Sequence, residues 1–221
     1  MSAPLEYILA ANEDTYLHSL LVGNNFGDYA YLSCGYLITK ASMAFRPLVR
    51  ISLVTLPEDF RISEAEFWMY CTSAAAAASP CGMHAFEYQS GPLWISPAGA
   101  QWVEGEANWN IWSTGNNWST PGGDHNPTPF ATWVLPKTTG DHKLLEGDDL
   151  IAYVNELREQ AVQFNVCMRR EYEAWPSSSA TFASRDNGTY AGPRLIVRGA
   201  CKTVHLVGDT HIVGKASLAG V

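Results

Sequence analysis

Two glutamates separated by one residue, Glu104 and Glu106, stand in a segment crowded with tryptophan. On an extended strand, residues two apart share a face. Such a pair could supply the two carboxylates of a glycoside hydrolase, although solvated loop acids are the commoner use of this pattern. Gly122-Gly123-Asp124 and Glu146-Gly147-Asp148-Asp149 offer hard oxygen ligands of the kind calcium uses, without the spacing of an EF-hand. The six histidines (His18, His84, His125, His142, His205 and His211) are scattered and make no local ligand motif. His205 and His211 could face each other across a hairpin, as a metal edge or a pH-sensitive contact. No His-Glu-x-x-His, Gly-x-Ser-x-Gly, P-loop or dinucleotide glycine fingerprint occurs. The expectation is a protein without catalytic residues, metal ligands or cofactor, structural calcium being the one cofactor reading kept open. Trp94 and Trp112 are the candidates for stacking on a sugar ring.

These residues sit in a chain of 221 residues with 22 acidic and 14 basic side chains, a formal charge of −8. That balance argues against a phosphate-tracking surface and so against nucleic acid as a partner. No run of 18 apolar residues exists and the first residues lack the basic and apolar regions of an export signal, so neither a membrane span nor secretion is expected. Five cysteines, Cys34, Cys71, Cys81, Cys167 and Cys201, are an odd number with no Cys-x-x-Cys pair. Free buried thiols made in a reducing compartment follow.

The elements that must position these groups are mostly strands. Turn signals recur about every ten residues, and between them lie short alternating or wholly apolar runs, the rhythm of an antiparallel sandwich. Strands are predicted near 7–11, 30–34, 47–54, 64–70, 83–88, 132–135, 163–169, 181–184 and 194–198. The clearest alternation puts Ala65, Phe67 and Met69 on one face and Glu66, Trp68 and Tyr70 on the other. One helix is predicted, with Asp148 or Asp149 as its cap and Leu150, Ile151, Val154 and Leu157 at helical spacing. The stretch 91–129, rich in Gly, Pro and Asn, holds Trp94, Trp102, Trp109, Trp112 and Trp118 and reads as a long connection locked by its own side chains. Residues 202–213 alternate on both sides of Gly208-Asp209, a hairpin signal, and a tail of small residues follows.

Several segments, in order, resemble the DNRLRE domain, a jelly-roll module. They are Asp14-Thr15-Tyr16, Asn25-Phe26-Gly27, Tyr31-Leu32-Ser33-Cys34-Gly35, Arg46-Pro47-Leu48-Val49-Arg50-Ile51 and the strand around Phe67. Trp102-Val103-Glu104-Gly105-Glu106-Ala107-Asn108-Trp109-Asn110 and Trp118-Ser119-Thr120-Pro121-Gly122-Gly123-Asp124 look like the family's paired tryptophan signatures. Phe182-Ala183-Ser184-Arg185-Asp186 and Pro193-Arg194-Leu195-Ile196-Val197 resemble its closing strands. The likeness spans about residues 12–199; a proline within the second landmark, Pro47, departs from it, and the terminal hairpin lies outside it.

The resemblance implies an all-β antiparallel jelly-roll β-sandwich, used in secreted surface proteins, polysaccharide-active enzymes and bacteriophage virion proteins, with no single activity attached. Trp102, Glu104, Trp109, Trp118 and Asp124 are then architectural: rings buried under the loop, indole N–H groups on backbone carbonyls, and a carboxylate accepting amides freed by the bend. The expected partition is a domain over 1–199 and a C-terminal hairpin arm over 200–221. Leu5 and Tyr7, with Val204, Leu206, Ile212, Val213 and Leu218, would serve assembly by gripping neighbouring subunits. The expected protein is a virion component made in the host cytoplasm, a capsid decoration (cement) or tail or fibre protein. Its expected partners are phage capsid or tail proteins and further copies of itself in a closed oligomer, with a trimer at a three-fold axis as the expected form. A carbohydrate-binding module recognising a host polysaccharide is the alternative.

Overall fold

The computed structural model describes residues 4–38, 42–77, 79–85, 102–125, 128–160, 163–170, 173 and 177–201. Its strands are β1 (Leu5–Ala10), β2 (Glu13–His18), β3 (Tyr31–Ile38), β4 (Ser42–Ile51), β5 (Phe60–Ser73), β6 (Pro80–Ala85) and the short pair β7 (Ile111–Ser113) and β8 (Asn116–Asn117). They continue with β9 (Ala131–Val134), β10 (Gly140–Glu146), β11 (Phe164–Arg170), β12 (Ser178–Ala183) and β13 (Arg194–Cys201); one helix, α1 (Asp148–Glu159), lies between β10 and β11. The protein is an all-β antiparallel sandwich built from one curled sheet.

The curl comes from two long strands that change partner along their length. The sheet runs β1-β13-β5-β12-β3-β4-β11-β6-β9, with β10 added to β5 and β2 added to β4. Strand β5 pairs with β13 between Phe60 and Trp68, then passes to β12 at Cys71 and Ser73. Strand β4 pairs with β3 from Ser42 to Phe45 and with β11 from Leu48 to Ile51. Pro47 falls between those two pairings. Ala44 and Arg50 direct their backbone groups towards β2, so by strand alternation the nitrogen of Pro47 faces the opposite edge, at the gap between β3 and β11. A proline there forfeits no ladder hydrogen bond.

Inward side chains of both layers meet in one core that includes Leu32, Ile51, Phe60, Phe67, Phe164 and Phe182, all fully buried. Ala65, Phe67 and Met69 point into it, while Glu66, Trp68 and Tyr70 lie half-exposed on the outer face. Helix α1 closes one end, burying Leu150, Tyr153, Val154 and Leu157. Asn155 donates to the Ile62 carbonyl, and Arg158 to the carbonyls of Phe60 and Pro57. The cap differs from expectation. Gly147, at φ 97°, holds the cap position without a side-chain hydrogen bond, and Asp148 and Asp149 lie in the first turn. There they meet the positive end of the helix dipole, which favours acids without capping. No helix among the described residues is long and apolar enough to cross a membrane.

Strands β2 and β10 and the β7–β8 pair are not in the sequence reading. β2 carries Asp14 and Thr15 among its buried residues, so burial there does not alternate with polarity. β10 buries only Leu145, its other residues being half-buried or exposed, and it bulges between Lys143 and Leu145. Strand β13 extends through Cys201, paired with Phe60, so the domain reaches two residues into the segment assigned to the arm. The remaining arm residues Val204, Leu206, Ile212, Val213 and Leu218 lie outside the described residues, as do His205 and His211. Strand β1 pairs in register with β13, from Leu5 opposite Gly199 to Ala10 opposite Arg194. Tyr7 packs edge-on against Phe60 at 5.0 Å, so its ring belongs to the domain's own core and not to a free arm.

Candidate functional site

The segment 102–125 lies against β2, β4 and β11, fastened by tryptophans and two buried arginines. Trp102 is fully buried, and its Nε1 donates to Asn165 Oδ1 at 2.8 Å, a side-chain acceptor where a backbone carbonyl was expected. The Arg50 guanidinium covers its ring at 4.6 Å, donates to the Trp102 carbonyl at 2.6 Å and pairs with Glu13. Trp118 is buried too, and its Nε1 donates to the Asn108 carbonyl at 2.7 Å. With Ala107 these rings join Leu17, Leu48 and Cys167 in a second apolar cluster, against which Trp109 and Trp112 pack.

Arg46, four residues before Arg50 on β4, repeats the arrangement. Its guanidinium lies over Trp109 at 4.7 Å, binds Glu173 through two parallel hydrogen bonds of 2.7 and 2.6 Å, and donates to the Gly122 carbonyl at 2.7 Å. Gly122 adopts φ 92°, and a Cβ there would stand 2.4 Å from Arg46 Nη1 and 2.8 Å from the Trp109 ring, which explains glycine at that position. Asp124 closes the bend by accepting the amides of Ser119 and Thr120 at 2.7 and 2.8 Å.

Beyond Trp102 the chain turns, and Glu104 points towards β2. Its Oε1 accepts the Asp14 N–H at 2.6 Å and its Oε2 pairs with Arg185 Nη2 at 2.6 Å. Glu106 faces elsewhere, accepting the Thr114 N–H at 2.6 Å. The shared face considered for Glu104 and Glu106 does not form, because the segment is a turn and not a strand. Behind the turn, Asn25 Nδ2 donates to the carbonyls of Glu104 and Ala107, and Gly27 approaches so closely that a Cβ would lie 2.3 Å from the Glu104 carbonyl oxygen.

What Glu104 does meet is a pair of acids remote in sequence. Asp14, Glu104 and Asp186 bring carboxylate oxygens within 4.8 Å of one another, the one such group of three metal-ligating side chains among the described residues. Arg185 threads between them: its N–H donates to Asp14 Oδ2 at 2.7 Å, Nη1 to the Asn12 carbonyl at 2.5 Å, and Nε lies 3.6 Å from Asp186. Asp14 is wholly buried and its Oδ1 has no partner. Burial pushes its carboxyl up to about 7; the Arg185 N–H opposes this and the charges of Glu104 and Asp186 add to it. Glu104 is raised as well, chiefly by burial. A shallow cavity of about 440 Å³ opens beside the cluster, lined by Asn12, Glu13, Arg50, Trp102, Glu104 and Arg185 among others.

The calcium-like segments found in the sequence form no such group. Asp124 is occupied by backbone amides, and Asp148 and Asp149 open α1. His18 Nδ1 accepts the amides of Leu20 and Leu21, His125 bonds the Gly123 carbonyl, and His142 the Thr138 carbonyl. Of the two sugar-stacking candidates, Trp112 is partly buried against the second cluster, and Trp94 lies outside the described residues. Sequence reasoning named Asp14, Arg185 and Asp186 among the landmarks of a resemblance and gave them no shared role. No family model matches the chain, and no curated protein matches it.

Proposed function

We propose that this chain is a non-enzymatic structural protein of a bacteriophage particle, a capsid-decorating or tail component of the DNRLRE jelly-roll kind. On this reading it joins neighbouring subunits through its terminal segments. The observation that carries this reading is how the segment 102–125 is used. Trp102, Trp118, Glu104 and Asp124, the side chains best equipped for chemistry or stacking, are engaged in packing the loop on the sheet or, for Asp124, in closing the loop's own bend. The attachment surface is the edge strand β1. Leu5 is 48% and Ile8 62% exposed there, and Leu5 pairs with Gly199, two residues before the end of β13 at Cys201. An edge strand with exposed apolar side chains is a template for adding a strand from another copy.

The test compares the full chain with one ending at Cys201 by sedimentation. The full chain is expected to form a closed oligomer and the shortened one a folded monomer. A monomeric full chain at high concentration would overturn the reading.

A second reading, a glycan-binding module, has one observation in its favour. On the outer face, Tyr70 and Tyr190 stack at 4.0 Å with planes 8° apart, near Trp68, which lies under Arg194. Retardation of the protein on polysaccharide gels, lost in Tyr190→Ala but kept in Trp112→Ala, would place a sugar on that face.

A further inference from the structure

We propose that Asp14, Glu104 and Asp186 form a binding site for a divalent cation, and that calcium is the ion their chemistry fits. This goes beyond the assembly role and does not depend on it. Calcium–oxygen bonds of about 2.3–2.6 Å place oxygens on opposite sides of one ion roughly 4.6–5.2 Å apart. Three carboxylate oxygens within 4.8 Å of one another are close enough to share a single ion with small side-chain adjustments.

Acidic side chains often gather at protein surfaces without holding a metal. The distinguishing feature here is Asp14, whose side chain is wholly buried and whose Oδ1 has no hydrogen-bond partner, while Oδ2 takes the Arg185 N–H. A buried carboxylate oxygen left alone is unfavourable unless a proton or a cation joins it. The charge count agrees. Three carboxylates face one guanidinium, that of Arg185, which pairs with Glu104 and lies 3.6 Å from Asp186. Two negative charges remain, the number a divalent cation offsets.

The ligand set is oxygen only, which favours a hard cation over zinc or copper. Three acids from separate segments suit the flexible shell of calcium better than the near-ideal octahedron that magnesium demands. Asn12 Oδ1, a second buried oxygen without a partner, belongs to a residue lining the same cavity as Glu104 and Arg185. Of the three acids Glu104 lines that cavity, so water can approach the site from the Glu104 side. The three acids come from β2, from the turn after Trp102 and from the turn after β12, so an ion there would tie together segments distant along the chain.

The experiment uses the full chain, stripped with EDTA and exchanged into chelator-free buffer. Calcium chloride is added in thermal unfolding and calorimetric titrations, and terbium is followed by its luminescence under tryptophan excitation. Saturable binding is expected, with a rise in Tm of about 5–10 °C when calcium exceeds its dissociation constant roughly a hundredfold. Terbium should luminesce, because Trp102 lies two residues from Glu104. Asp186→Asn and Asp14→Asn should each weaken calcium binding by an order of magnitude. Asp186 is exposed, so its variant keeps the fold and decides the matter alone if Asp14→Asn does not fold. Absence of heat and of any Tm shift at millimolar calcium would overturn the proposal. So would an undiminished response in the Asp186 variant, or a response to magnesium and not to calcium.

Discussion

His18 shows how a single buried side chain sets a pH limit on the domain. It is 8% exposed at the end of β2, packed by Phe26 and by the edge of Phe45, and its Nδ1 accepts two backbone amides, those of Leu20 and Leu21. Both the burial and the acceptor role require a neutral ring, and burial lowers its pKa below the ordinary 6.5. The unfolded chain then binds a proton at a higher pH than the native one does. The contribution of His18 is therefore fully present above about pH 6.5 and declines as pH falls through its lower native value. His18→Asn keeps an oxygen that can accept the same amides and removes the titration. Urea midpoints at about pH 5 and about pH 7.5 should differ more for the parent protein than for this variant; an equal difference in both would show that the ring does not control the acid limb.

The loop 102–125 is the element on which the assembly reading turns, and it is held by two stacked arginine–tryptophan pairs. The Arg46 side chain is 10% exposed and the Glu173 side chain 16%, so the ion pair has little solvent to screen it. Removing one member leaves the other charge poorly solvated. Arg46→Met should cost about 3 kcal/mol. It should also speed amide exchange at Gly122, whose N–H bonds the Trp109 carbonyl, more than exchange in β5 or β13. If exchange around residues 118–124 is unchanged, the tryptophans hold the loop without the arginine. In the sequence, the closeness of Trp102 to Trp109 and the Pro121-Gly122-Gly123 bend made a packed loop legible. The two arginines were not, because Arg46 and Arg50 lie on β4, 76 positions before Gly122 in one case and 52 before Trp102 in the other.

Across the whole molecule, packing decides which reactive groups meet solvent. Cys34, Cys71, Cys81 and Cys167 are buried and only Cys201, at the end of β13, is half-exposed. Burial also pushes the Cys167 thiol up to about 12, which leaves almost no thiolate. A thiol reagent should therefore label one cysteine in the native protein and all five in denaturant. Rapid native labelling of two or more would mean that the sandwich opens without global unfolding.

Much of this architecture was present in the order of residues alone. The alternation through Phe67, the helical spacing from Leu150 to Leu157 and the bend at Gly122 record environments that repeat, or turn, within a few residues, so local chemistry suffices to read them. Strand β2 escaped because Asp14 and Thr15 are buried in the middle of it, which erases the polar alternation that marks a half-solvated strand. The meeting of Asp14, Glu104, Arg185 and Asp186 was decided by tertiary structure. Glu104 stands 90 positions from Asp14, and Arg185 stands 171 from it. Contacts at such separations leave no period in the chain; they exist because β5 and β4 change partners and curl the sheet until these turns touch.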